Sequence, residues 1–150
     1  MNLFSLYRAF ARFPLGRRVI SLIIALKAPY FTTLRPYVAE LEAGSCTVRV
    51  RERWRLRNHL GTVHAIALCN ICELTMGLAV ETAMPRDLRW IAKGMTVSYL
   101  KKAKGILTGT SVIDPSRLVP GDVAVPVEVR DAKGVRVVEA AVTIYLTPRG

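Results

Sequence analysis

The sequence is poor in cysteine, in acidic residues and in long apolar runs, and each shortage removes a class of protein. Cys46, Cys69 and Cys72 are its only thiols, too few and odd in number for a secreted disulfide scaffold. No cleavable secretory pattern opens the chain, and both features lead us to expect a reducing cytoplasm. The Cys69-Asn-Ile-Cys72 spacing is that of a redox or zinc motif, but no second cysteine pair completes four ligands and the segment has helical periodicity. Packing is the better reading, and no metal is expected. The longest apolar run, residues 19–26, contains Ser21 and falls far below the ~20 residues that a spanning helix needs.

Acidic residues number 11 against 22 basic ones, for a formal net charge of +11. Such a field draws phosphates, whether of nucleic acid, anionic lipid or the nucleotide part of a coenzyme. The basic groups at Arg8 to Arg18, Arg49 to Arg57 and Lys101 to Lys104 are interrupted by apolar residues. That pattern reads as solvated faces, so no nucleic-acid partner is expected.

A chain of 150 residues is one domain's worth, and its 51% hydrophobic content exceeds what a solvated monomer needs. The excess implies an oligomer, a ligand tunnel or a membrane contact. Residues 1–30 read as an amphipathic helical segment in two stretches broken at Pro14-Leu15-Gly16. Two roles stay open for it: helices packed over the main domain, or a basic anchor peripheral to a membrane. Residues 31–150 read as the main domain. Strands are expected at 34–41 and 46–54, the second with Arg49, Arg51, Arg53 and Arg55 on one face. One long helix at 62–82 follows, with Thr62 as N-cap and Met84-Pro85 as its end. Four more strands are expected at 89–100, 106–113, 122–130 and 135–146, the last three set off by turn signals such as Asp131-Ala-Lys-Gly134. The helix carries Leu68, Ile71, Leu74, Leu78 and Ala79 on one side and Ile66, Cys69, Gly77 and Val80 on the other. A helix apolar all round is a buried one. The expected fold is therefore α+β, an antiparallel sheet of six strands wrapped around one central helix.

Glu73 lies on the second side of that helix. An ionised carboxylate among such neighbours is costly, and becomes a neutral hydrogen-bonding acid or a base and nucleophile awaiting a substrate. A bland alternative is a glutamate that reaches water at a subunit seam or pairs with an arginine of the second strand. Just before the helix, Asn58-His59-Leu60-Gly61-Thr62-Val63-His64-Ala65 places an amide, a glycine turn and two imidazoles at a helix N-terminus. Free N–H groups and the helix dipole there favour negative charge, as an oxyanion site requires, although ordinary capping uses the same residues.

At these positions the chain resembles the hotdog-fold thioesterase superfamily, in particular its hydroxybenzoyl-CoA and phenylacetate-pathway branch. That branch has an amide side chain, a glycine turn and a His-Gly-Gly helix start, with Asp or Glu nine residues after the His. Asn58, Gly61, His64 and Glu73 stand at those places. Val97-Ser-Tyr-Leu-Lys-Lys-Ala-Lys-Gly105 is similar to the family's aromatic-Leu-basic-Pro-Ala-basic-Gly strand end, with Lys102 where proline is common. The resemblance runs from about residue 33 to residue 146.

It implies an acyl-CoA thioesterase with coenzyme A as part of the substrate and no separate cofactor. Glu73 would be the nucleophile or general base, and Asn58 would orient the water or the carboxylate. The Ala65 amide would polarise the thioester oxygen while His64 braces the helix start. Gly61 shapes the substrate-side turn, and Lys101, Lys102 and Lys104 would contact coenzyme phosphates. Nine residues separate His64 from Glu73 by roughly 13 Å and half a turn, so the implied site lies between two subunits of a homodimer, with dimer and tetramer both open as the final assembly. The family's two glycines are Ala65 and Ile66 here. That departure leaves a non-catalytic acyl-binding or lipid-binding hotdog as the alternative, while a hydratase, which wants a paired Asp and His, fits less well.

Overall fold

The computed structural model describes residues 3–150. Six antiparallel strands form one sheet in the order β1-β2-β4-β5-β6-β3: β1 (Tyr37–Glu42), β2 (Ser45–Arg51), β3 (Leu88–Tyr99), β4 (Ile106–Val112), β5 (Gly121–Arg130) and β6 (Arg136–Pro148). Period-two burial drives the curl. Cys46, Val48 and Val50 of β2 and Val123, Val125, Val127 and Val129 of β5 are buried on one face, and that face closes on the long helix α3 (Ala65–Ala83). At 19 residues α3 is long and apolar enough to cross a membrane by composition alone, but the sheet wraps it and its Ile71, Met76 and Val80 are fully buried. Gly109 of β4 makes the contact close: a Cβ there would sit 2.7 Å from Thr75 Oγ1 and 2.9 Å from Ile71 Cγ2, so only hydrogen fits.

The N-terminal segment forms α1 (Leu3–Ala11) and α2 (Gly16–Lys27), broken where Pro14-Leu15-Gly16 predicts. Both pack on the domain. Tyr7, Ile20 and Ile24 join the same core as α3, Tyr7 Oη donates to Ala39 O at 2.9 Å and Ser21 Oγ accepts the Val38 N–H at 2.9 Å. These bonds satisfy β1 at the sheet's outer edge, the standing problem of edge strands. The opposite edge differs. Among the described residues β3 pairs with β6 on one side and with no strand on the other, and Ile91 at its edge is 67% exposed.

Four expectations need correction. The first strand begins at Tyr37 rather than residue 34, because Leu34 closes a 3₁₀ turn by donating to Phe31 O at 3.0 Å and Arg35 adopts φ 47°. The second ends at Arg51, not Trp54. Glu52 leaves the ladder to bond Gly105, accepting its N–H at 2.5 Å, and the chain enters a 3₁₀ turn that leaves Trp54 82% exposed. Thr62 does not cap α3. Its side chain is held in the Asn58 loop, and His64 is the N-cap, with Nδ1 accepting the Ile66 N–H at 3.1 Å. Finally, α3 is not enclosed all round: Ile66 is 55% exposed, and Cys69, Asn70, Glu73 and Gly77 are only half-buried.

Candidate functional site

That open stripe on α3 carries the expected carboxylate, and two cavities lie along it. The first, of about 470 Å³, holds Glu73 among Ile24, Phe31, Leu74, Leu78 and Trp90, with Lys27 and Glu81 also on its wall. The α2 helix and the 3₁₀ turn Pro29–Thr33 that follows it therefore roof the space beside Glu73. Trp90 comes from β3 and packs against the helix at Gly77, where a Cβ would stand 3.4 Å from the indole. Its Nε1 donates to Glu81 Oε2 at 3.1 Å, fixing the ring as a wall. Sequence reading did not single out Ile24, Lys27, Phe31 or Trp90, since nothing local in the chain signals that the N-terminal segment would reach the central helix.

The second cavity, of about 340 Å³, lies at the helix start and is lined by Asn58, Thr62, Ala65, Tyr99, Lys101 and Lys102, among others. Asn58 organises the loop that leads into α3. Its Oδ1 accepts from the N–H groups of Leu60 and Thr62 at 3.0 and 3.1 Å, and its Nδ2 donates to Thr62 Oγ1 at 3.0 Å. Gly61 holds the turn at φ 66°, a conformation that glycine adopts without the Cβ clash other residues meet. Val63 N–H then bonds Ala103 O at 2.9 Å and His64 N–H bonds Leu56 O at 2.7 Å, tying the helix start to the lysine-rich segment after β3. The first-turn N–H groups of a helix have no acceptor within it. His64 Nδ1 takes the Ile66 N–H, and Ala65, the first residue of α3, lines the cavity at the head of the helix dipole.

Electrostatics at the two ends follow from these contacts. Tyr99 Oη lies 3.0 Å from Cys69 Sγ. That hydrogen bond, with desolvation second, pushes the phenol up to about 12, so Tyr99 is a neutral wall rather than a base. Burial pushes the Cys72 thiol up to about 12 as well, and Cys69 and Cys72 are free thiols. Beneath the lysine segment, Glu52 is held below the usual carboxylate range, first by the Gly105 N–H and then, against the opposing effect of burial, by Arg57, whose Nε donates at 2.6 Å. Lys104 adds to that field without lining the cavity, whereas Lys101 and Lys102 line it. Among the described residues no cluster of three or more His, Cys, Asp or Glu side chains could hold a metal ion.

Within one chain, then, the expected residues divide. Asn58, Ala65, Lys101 and Lys102 share one cavity; Glu73 lines the other. Strand β3 joins the two, with Trp90 near its start in the Glu73 cavity and Tyr99 at its end in the helix-start cavity.

Comparison with known proteins places this architecture. A protein known from a genomics crystal structure is 34% identical and superposes with a TM-score of 0.83 over 98% of this chain and 99% of its own. A Pseudomonas aeruginosa protein described as a probable thioesterase is 22% identical, with a TM-score of 0.77 over 85% of this chain and 92% of its own. A Staphylococcus aureus thioesterase is 15% identical, with a TM-score of 0.72 over 80% of this chain and 99% of its own. These likenesses establish the hotdog fold. No curated protein matches the chain significantly. Residues 16–146 match the model of a domain of unknown function, DUF4442, and the chain belongs to that family, here with the hotdog fold.

Proposed function

We propose that the protein is an acyl-CoA thioesterase whose active site forms between two subunits. The observation that carries this reading is the separation of Glu73 from the helix start into two cavities at opposite ends of an unpaired edge strand. Antiparallel pairing of two β3 edges about a two-fold axis brings the Trp90 end of one strand beside the Tyr99 end of the other. Each Glu73 cavity then meets the partner's helix start, and the half-open stripe on α3 becomes interior.

In that arrangement the acyl group lies in the Glu73 cavity, whose walls are mainly Ile24, Phe31, Leu74, Leu78 and Trp90. The coenzyme phosphates lie against Lys101 and Lys102 of the partner subunit, with Lys104 adding charge nearby. The thioester oxygen accepts the partner's Ala65 N–H, where the helix dipole stabilises the negative charge that develops on attack. Glu73 acts as general base on a water or as the nucleophile itself. As a base it takes the water's proton, hydroxide adds to the carbonyl carbon, the tetrahedral oxyanion collapses, and the C–S bond breaks with the proton passing to the thiolate. Asn58 retains one amide hydrogen beyond its bond to Thr62, which suits it to orient the water. We place the protein in the cytoplasm as a homodimer, in which dimers can pair into tetramers.

One observation favours a second reading. Ala65 and Ile66 put side chains on the helix start, and Ile66 is 55% exposed there; a crowded mouth would hold an acyl ligand without hydrolysing it. Free-thiol release from acyl-CoAs of graded chain length decides between the two. Hydrolysis that falls about 10³-fold in Glu73→Gln supports the thioesterase. Tight binding without turnover in the native protein supports the acyl carrier.

A further inference from the structure

Helix α2 is apolar on both sides, and only one side has a partner. Ile20, Ile24 and Ala25 are buried against the domain. Leu15, Val19, Leu22 and Leu26, spaced to fall on one face, are 68%, 44%, 58% and 59% exposed, and Phe13 in the preceding turn is 69% exposed. This is a continuous apolar stripe on a helix already satisfied by its inner face, so fold stability does not require it. The charges beside the stripe are basic, and the carboxylates near α2, Glu40 and Glu42 with Arg8 and Arg17, and Glu73 and Glu81 with Lys27, line other cavities. Before Glu40 the chain carries Arg8, Arg12, Arg17, Arg18, Lys27 and Arg35 and no acidic residue. Between the turn and Tyr37 a groove of about 310 Å³ is lined by Phe13, Leu15, Arg17 and Arg18, so apolar and cationic groups converge on one open space.

We propose that α2 and the turn before it dock on the surface of an anionic lipid bilayer. The apolar stripe enters the headgroup–acyl boundary while Arg12, Arg17 and Arg18 meet lipid phosphates. Charge selects this occupant over a second copy of the chain. Two such stripes brought face to face would oppose arginine with arginine, and neither the stripe nor the groove lined by Phe13, Leu15, Arg17 and Arg18 has a carboxylate to offset them. The helix that enters the boundary also gives Ile24 and Lys27 to the roof of the Glu73 cavity, so docking sets that cavity beside a phase rich in acyl chains. The inference goes beyond hydrolysis and does not depend on it.

Flotation of the full chain with phosphatidylcholine vesicles, with and without phosphatidylglycerol, tests it. We expect binding to the anionic vesicles, release by salt and little binding to the neutral ones. Leu22→Glu with Leu26→Glu weakens binding about a hundredfold, and Arg12→Ala with Arg18→Ala about thirtyfold. Thermal unfolding stays at the native temperature in both, because all four side chains are exposed. Absence of binding to anionic vesicles, equal binding to both compositions, or binding that survives the leucine changes overturns the proposal. So does a fall in oligomeric state on Leu22→Glu with Leu26→Glu, since the stripe would then be a contact between copies. A failure of hydrolysis in the thiol-release assay leaves all of these outcomes readable.

Discussion

The two edges of the sheet are treated in opposite ways. At β1, Tyr7 and Ser21 reach in from α1 and α2 and bond Ala39 O and the Val38 N–H, and the core extends over that edge through Ile20 and Ile24. At β3, twelve residues of strand have one neighbouring strand among the described residues, and the helix stripe beside them is half-open. A chain that spends two helices on sealing one edge and leaves the other bare is built to meet something at the bare one. The interrupting features on β3 are local: a bulge between Ala92 and Gly94, and Lys93, which reaches Asp122 at 2.6 Å. Beyond the bulge, Gly94 to Tyr99 stays regular.

The comparison breaks most severely at the open edge. Met95→Asp puts a charge on the side of β3 next to the α3 stripe, which the dimer would bury. Light scattering should then report a monomer and thiol release should fall about 10³-fold, as far as in Glu73→Gln. A monomer that still hydrolyses would separate the edge from the site. At the sealed edge the effect is on stability instead. Ser21→Ala leaves the buried Val38 N–H without its acceptor and should lower unfolding free energy by about 1–3 kcal/mol, read from urea midpoints, with the oligomeric state unchanged.

A smaller, pH-dependent effect belongs to the segment that carries the lysines. Glu52 is depressed in the folded protein, chiefly by the Gly105 N–H. Its contribution is therefore complete above the ordinary carboxylate range and is lost as pH falls through that range toward the folded value. Glu52→Gln should cost about 1–2 kcal/mol at neutral pH and progressively less as the solution is acidified. A constant difference across that range would mean that packing, and not the carboxylate charge, anchors Gly105.

Much of the architecture was legible because it rests on local periodicity. Alternation marked β2, turn signals set off β4, β5 and β6, Pro14-Leu15-Gly16 marked the break between α1 and α2, and Asp131 to Gly134 marked the β5–β6 turn, where Asp131 Oδ1 accepts from Lys133 and Val135. Element ends were less legible because long-range bonds decide them. Nothing near Glu52 says that Gly105 will draw it out of β2, and nothing near Thr62 says that Asn58 will occupy its hydroxyl and leave the cap to His64. The candidate site was legible as a set of residues through Asn58, Gly61, His64 and Glu73, but not as a place. The wheel of α3 could not distinguish a helix covered all round by its own chain from one whose last stripe stays open beside β3. Nor could it show that α2 would roof the cavity at Glu73.

The central claim is that Glu73 works on a substrate held by the partner's helix start, and subunit mixing tests it most directly. Ala65→Pro removes the proposed donor while keeping the helix, since proline is tolerated at the first helical position and His64 at φ −63°, ψ 142° already has the extended backbone that precedes proline. Each variant alone, Glu73→Gln or Ala65→Pro, should be nearly inactive. After unfolding and refolding together in equal amounts, half the dimers are mixed and each holds one site with both groups intact, so thiol release should return to about a quarter of the native rate. A mixture no more active than the average of its two parents would contradict an active site shared between subunits.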